Sequence, residues 1–346
     1  MFTDYILMMF STEPRRAKAV FNVLRGRRTV STLFAGLTYD CLSALDSWHG
    51  VPMEKFLASL QELLTAGDLA TPMEGYVQLT TAGAAHKEQL QATLYQPVAF
   101  RAFQTIDVRR FTAISALALQ VASQAVHHQN RYYPLTTDPG IQAIVKQWFR
   151  RQTVAHLGEQ LHTELTTFLQ SLPAPLPTVF VASISGFENP GQTDQQLATQ
   201  LDKTPLEILV MRKDLACRWC LWLETQPQSC LATLLQPLVK SNPVTPSAWQ
   251  TYQTVQQGLT VEQVAIQRRL KLSTVREHLL EVAILVPTFP YTQVLTPARV
   301  QTLTEIFADQ PVVANWRFEQ VQTVAPEMDF FWFRLFQIMR CQTNAA

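Results

Sequence analysis

Apolar residues along this chain recur at spacings of three and four far more often than they alternate, so helices should dominate. FTAISALALQVASQAV (111–126) and IQAIVKQWFRRQTVAHLGEQLHTELTTFLQ (141–170) are long helical stretches of this kind. Only DLAT and YVQLT, on either side of PMEG, read as short strands. SLPAPLPTV (171–179) and SNPVTPSAW (241–249) are proline-rich punctuations, and a softer seam lies at YQPVAF (95–100). The pattern predicts a mainly α chain in three segments: 1–96, where helices flank the two strands, a central helical bundle over 97–240, and a third helical segment over 241–346.

In the first segment, two helical patterns precede Pro52, which starts a third helix with Phe56, Leu60, Leu63 and Leu64 on its buried side. Gly67 ends that helix, the two strands follow, and LTTAG opens another helix. This order, most specifically LLTAGDLATPMEGYVQLTTAG, resembles a winged helix. Its third helix would normally enter the major groove. Here that helix offers Glu54, Lys55, Ser59, Gln61 and Glu62, and the wing offers Glu74 without Lys or Arg. Phosphates require cations, so a protein-docking platform is the better reading. The cations come earlier, at Arg15, Arg16, Lys18, Arg25, Arg27 and Arg28. They read either as phosphate contacts or as a solvated basic face.

TDQQLATQLDKTPLEILVMRKDL (193–215) repeats the outline of two helices and a short link, but its second helix runs on into ACRWCLWLE, apolar nearly all round. Such a helix is packed inside rather than laid in a groove. Cys217 and Cys220 have no second ligand pair and read as core residues.

LTVEQVAIQRRLKLSTVREHLL (259–280) carries the outline furthest. Thr245 or Ser247 caps a first helix bearing Trp249, Tyr252 and Val255, and Gly258 ends it. Thr260 and Gln263 have capping-box spacing, and Val264 and Ala265 face inward. Ser273 is the expected cap of the third helix, whose buried stripe is Val275, Leu279 and Val282. Outside lie Lys271, Ser273, Thr274, Arg276, Glu277 and His278, with Arg268 and Arg269 at the link, all suited to phosphates and base edges. In the closing stretch EMDFFWFRLFQIMR, Arg334, Gln337 and Arg340 mark a wet side. Its rings, Phe331 and Trp332 among them, are either core or a patch that anchors a partner protein.

The 259–280 stretch resembles the helix-turn-helix domain at the C-termini of some bacterial RecQ-like helicases. With its closing helix, the chain is similar to YpbB-type proteins, companions encoded beside such helicases in low-GC Gram-positive bacteria. The link position often held by glycine in that family is Arg269, which predicts a strained or rebuilt turn. The resemblance implies an accessory role in DNA recombination or repair with a RecQ-like helicase as partner.

Composition narrows this further. The 346 residues are 47% hydrophobic and 16% charged, with a net charge of +1, so nucleic-acid binding has to come from local patches. Residues 259–281 hold four basic and three acidic side chains, which predicts weak, salt-sensitive contact with duplex or forked DNA. Five irregularly spaced cysteines fit a reducing cytoplasm, and no stretch reads as a membrane span. Phosphate-binding loops, dinucleotide fingerprints, nucleophile elbows and metal-ligand spacings do not occur, so no enzyme, cofactor or metal is expected. The leading expectation is a non-catalytic DNA-binding accessory protein. The alternatives are a helix-turn-helix transcription regulator and a protein–protein adaptor without DNA contact.

Overall fold

A computed structural model describes residues 2–343 of the chain. Helices dominate, with one three-stranded sheet in the order β1-β3-β2: β1 Arg15–Arg16, β2 Leu69–Met73 and β3 Tyr76–Leu79. The wing appears where the strand signals lay, and Gly75 at φ +75° makes its turn. β1 pairs antiparallel with β3, Arg15 opposite Val77 and Arg16 opposite Tyr76.

Compactness divides the chain into two units that do not follow the three sequence segments. The first comprises residues 1–8, 57–70 and 79–241; the second comprises 9–56, 71–78 and 242–346. One division falls at the proline-rich 241–249 stretch. Another follows the Phe2–Leu7 helix, between residues 8 and 9, and the rest fall inside the Met53–Thr65 helix and inside the wing.

The first unit is built on Val108–Val126, Val154–Gln170 and Pro205–Glu224. Pro205–Glu224 buries residues all round its circumference, Cys217 and Cys220 among them, and burial pushes both thiols upward. The YQPVAF seam is pinned to the carboxylate of Asp214, which is fully buried. Its Oδ1 accepts the backbone N–H groups of Val98 (2.9 Å) and Ala99 (2.7 Å), and its Oδ2 accepts Tyr95 Oη (2.6 Å) and Arg218 Nε (2.7 Å). In the Met53–Thr65 helix, Ser59 is buried rather than outward, and its Oγ accepts from Thr3 at 3.3 Å.

The second unit has one core. Val23, Leu33 and Leu45, from the chain around Ala17–Leu24 and Val30–Thr38, pack in the same cluster as Tyr252, Val264, Leu279, Phe333 and Phe336. Helices from near the N-terminus therefore complete the hydrophobic core of the C-terminal helix-turn-helix. At about 25 cal/mol per Å² of apolar surface, a shared core of this kind couples their folding.

Candidate nucleic-acid interface

Three helices make the unit: Pro246–Gln256, Val261–Arg268 and Leu272–Leu285. Thr245 caps the first by position, but its side chain is used elsewhere. The carboxylate of Glu281, itself buried, accepts Thr245 N (2.8 Å) and Thr245 Oγ1 (2.9 Å), clamping the third helix to the start of the first. Gly258, at φ +90°, ends the first helix. The second opens with a complete Thr260–Gln263 capping box and buries Val264 and Ala265.

The turn keeps its left-handed residue without glycine. Arg269 sits at φ 53°, ψ 43°, while Leu270 N donates to Ala265 O (3.0 Å), closing the helix end in the manner of a Schellman turn. A non-glycine residue there carries about 1–2 kcal/mol of strain. Arg269→Gly should therefore raise thermal stability by about 0.5–1 kcal/mol net of the extra freedom of an unfolded glycine. The same change removes an exposed cation, so stability and DNA affinity should move in opposite directions, measurable by thermal melting and anisotropy on one preparation.

The third helix begins two residues earlier than the Ser273 cap would place it. Lys271 is the residue at the N-cap, and no side chain caps this helix. Leu272 is half-buried against the core and draws the helix start back, leaving Ser273 exposed in the first turn. The middle segment supplies a contrast. Its link also turns on a left-handed residue, Asp202 (φ 50°), after a Thr193–Gln196 capping box. There, however, the following helix is closed by its own Thr204–Glu207 box. One helix start is occupied by a buried carboxylate, and the other is open and flanked by cations.

The basic side chains near the turn fall into two sets. Arg269 and Lys271 are exposed. Arg268 and Arg276 are used internally. Arg268 donates to Ser247 O (2.7 Å), to Gln250 Oε1 (2.7 Å) and to Thr251 Oγ1, tying the second helix to the first. Arg276 pairs with Asp329 at 2.8 Å and lies over the Phe331 ring. Thr274 is half-buried. His278 Nδ1 shares a 2.8 Å hydrogen bond with Thr251 Oγ1. With Arg268 donating to that hydroxyl, the hydroxyl proton points at an unprotonated imidazole nitrogen. Burial, and then the nearby Arg268 charge, lower the His278 pKa. The exposed candidate set is thus narrower than the sequence pattern: Arg269, Lys271 and Ser273 stand clear, with half-buried Thr274 beside them.

A pH dependence follows. The unfolded chain takes up a proton at His278 near pH 6.5 and the folded chain resists it, so this group's contribution to stability is lost as pH falls below about 6.5 and levels off beneath the lowered folded value. Denaturation midpoints measured between pH 7.5 and 5.5 should fall in the unmodified chain and fall less in His278→Asn, whose side-chain oxygen can accept the same hydrogen bond.

Of the N-terminal cations, Arg25 and Arg27 are exposed, and Arg25 lies 5.5 Å from the Phe21 ring. Arg28 donates to the Pro243 carbonyl, just ahead of the first helix. In the closing helix Phe330–Thr343, Phe331 and Trp332 are 3% and 9% exposed, so neither ring is available as a partner-anchoring patch; both are core. The exposed ring is their neighbour Phe330. Gln337 is likewise buried, at 2%, rather than on a wet side, and its Nε2 donates to Val313 O (3.3 Å).

Residues 247–337 match the family model of a helix-turn-helix domain. The match covers all three helices and reaches into the closing helix. Over 284 residues the chain is also 26% identical to Protein YpbB of Bacillus subtilis (strain 168), a similarity covering 80% of this chain and 79% of that protein. No solved structure matches the chain. Among the described residues, no helix is long and apolar enough to cross a membrane.

Proposed function

We propose that this chain is a non-catalytic, DNA-binding accessory protein that acts with a RecQ-like helicase in DNA recombination or repair. The observation that carries the DNA contact is the open start of the Leu272–Leu285 helix, flanked by exposed Arg269 and Lys271 within a matched helix-turn-helix domain. Uncapped N–H groups, the positive end of the helix dipole and two cations together suit a backbone phosphate. Ser273 and Thr274, in the first turn, are within the reach that base-edge contacts use. Glu262 and Glu277 are exposed nearby, so the contact is weak at physiological salt and gains from a partner that brings the DNA. The resemblance of residues 259–280 to the C-terminal domains of RecQ-like helicases is what points to a helicase as that partner.

The test is unwinding of a forked duplex by a RecQ-like helicase from a low-GC Gram-positive bacterium, with and without this protein. Faster unwinding that disappears in Arg269→Ala plus Lys271→Ala is expected. Equal unwinding in both arms contradicts the partnership, and tight binding to one duplex sequence without fork preference makes the chain a regulator instead.

A further inference from the structure

Within the second unit lies a cleft of about 330 Å³ that the helix-turn-helix reading does not use. It is walled by residues next to and within Ala17–Leu24 and Val30–Thr38, by the wing at Tyr76, and by Trp316, Arg317 and the closing helix. Four cations line it, Arg16, Lys18, Arg317 and Arg334, and no carboxylate does. None of the four has a carboxylate partner among the described residues. In a chain with a net charge of only +1, four cations around one cleft without an acid are a strong local bias.

Arg334 is the most telling. Its guanidinium lies 3.8 Å from the centre of the Phe34 ring and 4.9 Å from that of Phe330, half-buried and without a hydrogen-bond acceptor among the described residues. Burial pulls its pKa down to about 10, so it stays protonated at neutral pH while short of solvation. A desolvated cation held only by aromatic faces is relieved by an anion. At the cleft floor, Gln337 uses its amide nitrogen on Val313, and its Oε1 has no donor among the described residues.

Aromatic rings alternate with the charges. Tyr39 and Tyr76 are half-buried at the cleft wall, with Arg15 5.4 Å from the centre of the Tyr39 ring and Arg16 5.8 Å from that of Tyr76, each leaving the opposite ring face for a base. Cations interleaved with accessible aromatic faces are how proteins hold an unpaired nucleotide, the charges taking the phosphate and the rings stacking on the base. The volume lies within the roughly 300–1,000 Å³ of small-ligand clefts.

We propose that this cleft binds a nucleoside phosphate, either an unpaired nucleotide of a DNA strand or a free mononucleotide, with its phosphate among Arg16, Lys18, Arg317 and Arg334 and its base against Tyr39 or Tyr76. In its strand form the inference rests on the DNA-contact reading above; in its mononucleotide form it does not.

The test is calorimetric titration of the full chain with dAMP, with inorganic phosphate and with a short 5′-phosphorylated oligothymidylate. Lys18→Glu plus Arg317→Glu, two exposed positions, is the cleft variant, with thermal melting as the check on its fold. Nucleotide binding should weaken by about tenfold or more in that variant, as expected from removing two phosphate-facing cations and reversing their charge. Arg269→Ala plus Lys271→Ala should leave dAMP binding unchanged. Binding of both dAMP and the oligonucleotide supports the strand source, and binding of dAMP alone supports the free nucleotide. Inorganic phosphate bound as tightly as dAMP overturns the proposal, since no base is then recognised. So does the absence of nucleotide binding, or binding that the cleft variant leaves unchanged. Failure of the unmodified chain to bind any duplex, with dAMP still bound, would sink the DNA-contact reading and leave the cleft standing.

Discussion

Asp214→Ala is expected to be the most damaging single change in the first unit, lowering stability by about 3–5 kcal/mol. The carboxylate is fully buried and accepts four hydrogen bonds, two from backbone N–H groups of the 95–100 connector, one from Tyr95 and one from Arg218. Deleting it leaves four donors without an acceptor, and one of them carries a charge. A fall in melting temperature on the order of 10 °C should accompany the loss. Asp214→Asn should lie between, because its oxygen can serve Val98 and Ala99 while its amide group faces Arg218. The control is Asp194→Ala, which removes a partly exposed pair with Arg212 and should cost less than about 1 kcal/mol. If Asp214→Ala melts like the control, the connector is not held by this carboxylate.

Gly83→Ala tests the packing of the wing's following helix with a change whose sign separates two views. On helix propensity alone, alanine in Thr81–Thr93 would stabilise by about 1 kcal/mol. The structure predicts the reverse. Gly83 is in the first turn, where Thr80 Oγ1 accepts its N–H at 3.0 Å, and a Cβ there would lie 1.9 Å from the backbone oxygen of Asp68. That oxygen accepts Thr80 N at 3.0 Å, so it cannot swing away without breaking the junction. A net loss of at least about 2 kcal/mol is expected, read as a lower denaturation midpoint. A gain in stability would mean that the close approach is absent.

Much of this fold was legible because its signals are local. Thr260 and Gln263 announced a capping box that is present, Gly258 ended a helix at positive φ, and the strands around PMEG formed a wing. The helix read as apolar all round, Pro205–Glu224, is buried on every side. The illegible part is what the side chains do over distance. Arg276 looked like a reading residue until its partner appeared at Asp329, 53 residues on, and Arg268 is held by an oxygen of Ser247, 21 residues back. Nothing in a window of helical length encodes either bond. The shared core is the same problem on a larger scale. Val23 and Leu33 carry an ordinary helical stripe, and periodicity says that a face is buried without saying against what. The helix starts in the two helix-turn-helix outlines also read alike in the sequence, because Ser273 is the expected cap of the second. Thr204 with Glu207 closes one helix start with its own side chains, and Lys271 leaves the other open.

The open start of the Leu272–Leu285 helix, with Arg269 and Lys271 beside it, is the proposed grip on DNA. Fluorescence anisotropy on duplex, single-stranded and forked DNA across a salt series tests it most directly, comparing the unmodified chain with Arg269→Ala plus Lys271→Ala. Salt-sensitive binding that weakens by about tenfold in the variant is expected, with the slope of log affinity against log salt shallower by about 2, one unit for each phosphate no longer neutralised. Equal affinity and equal slope in the two proteins would contradict it.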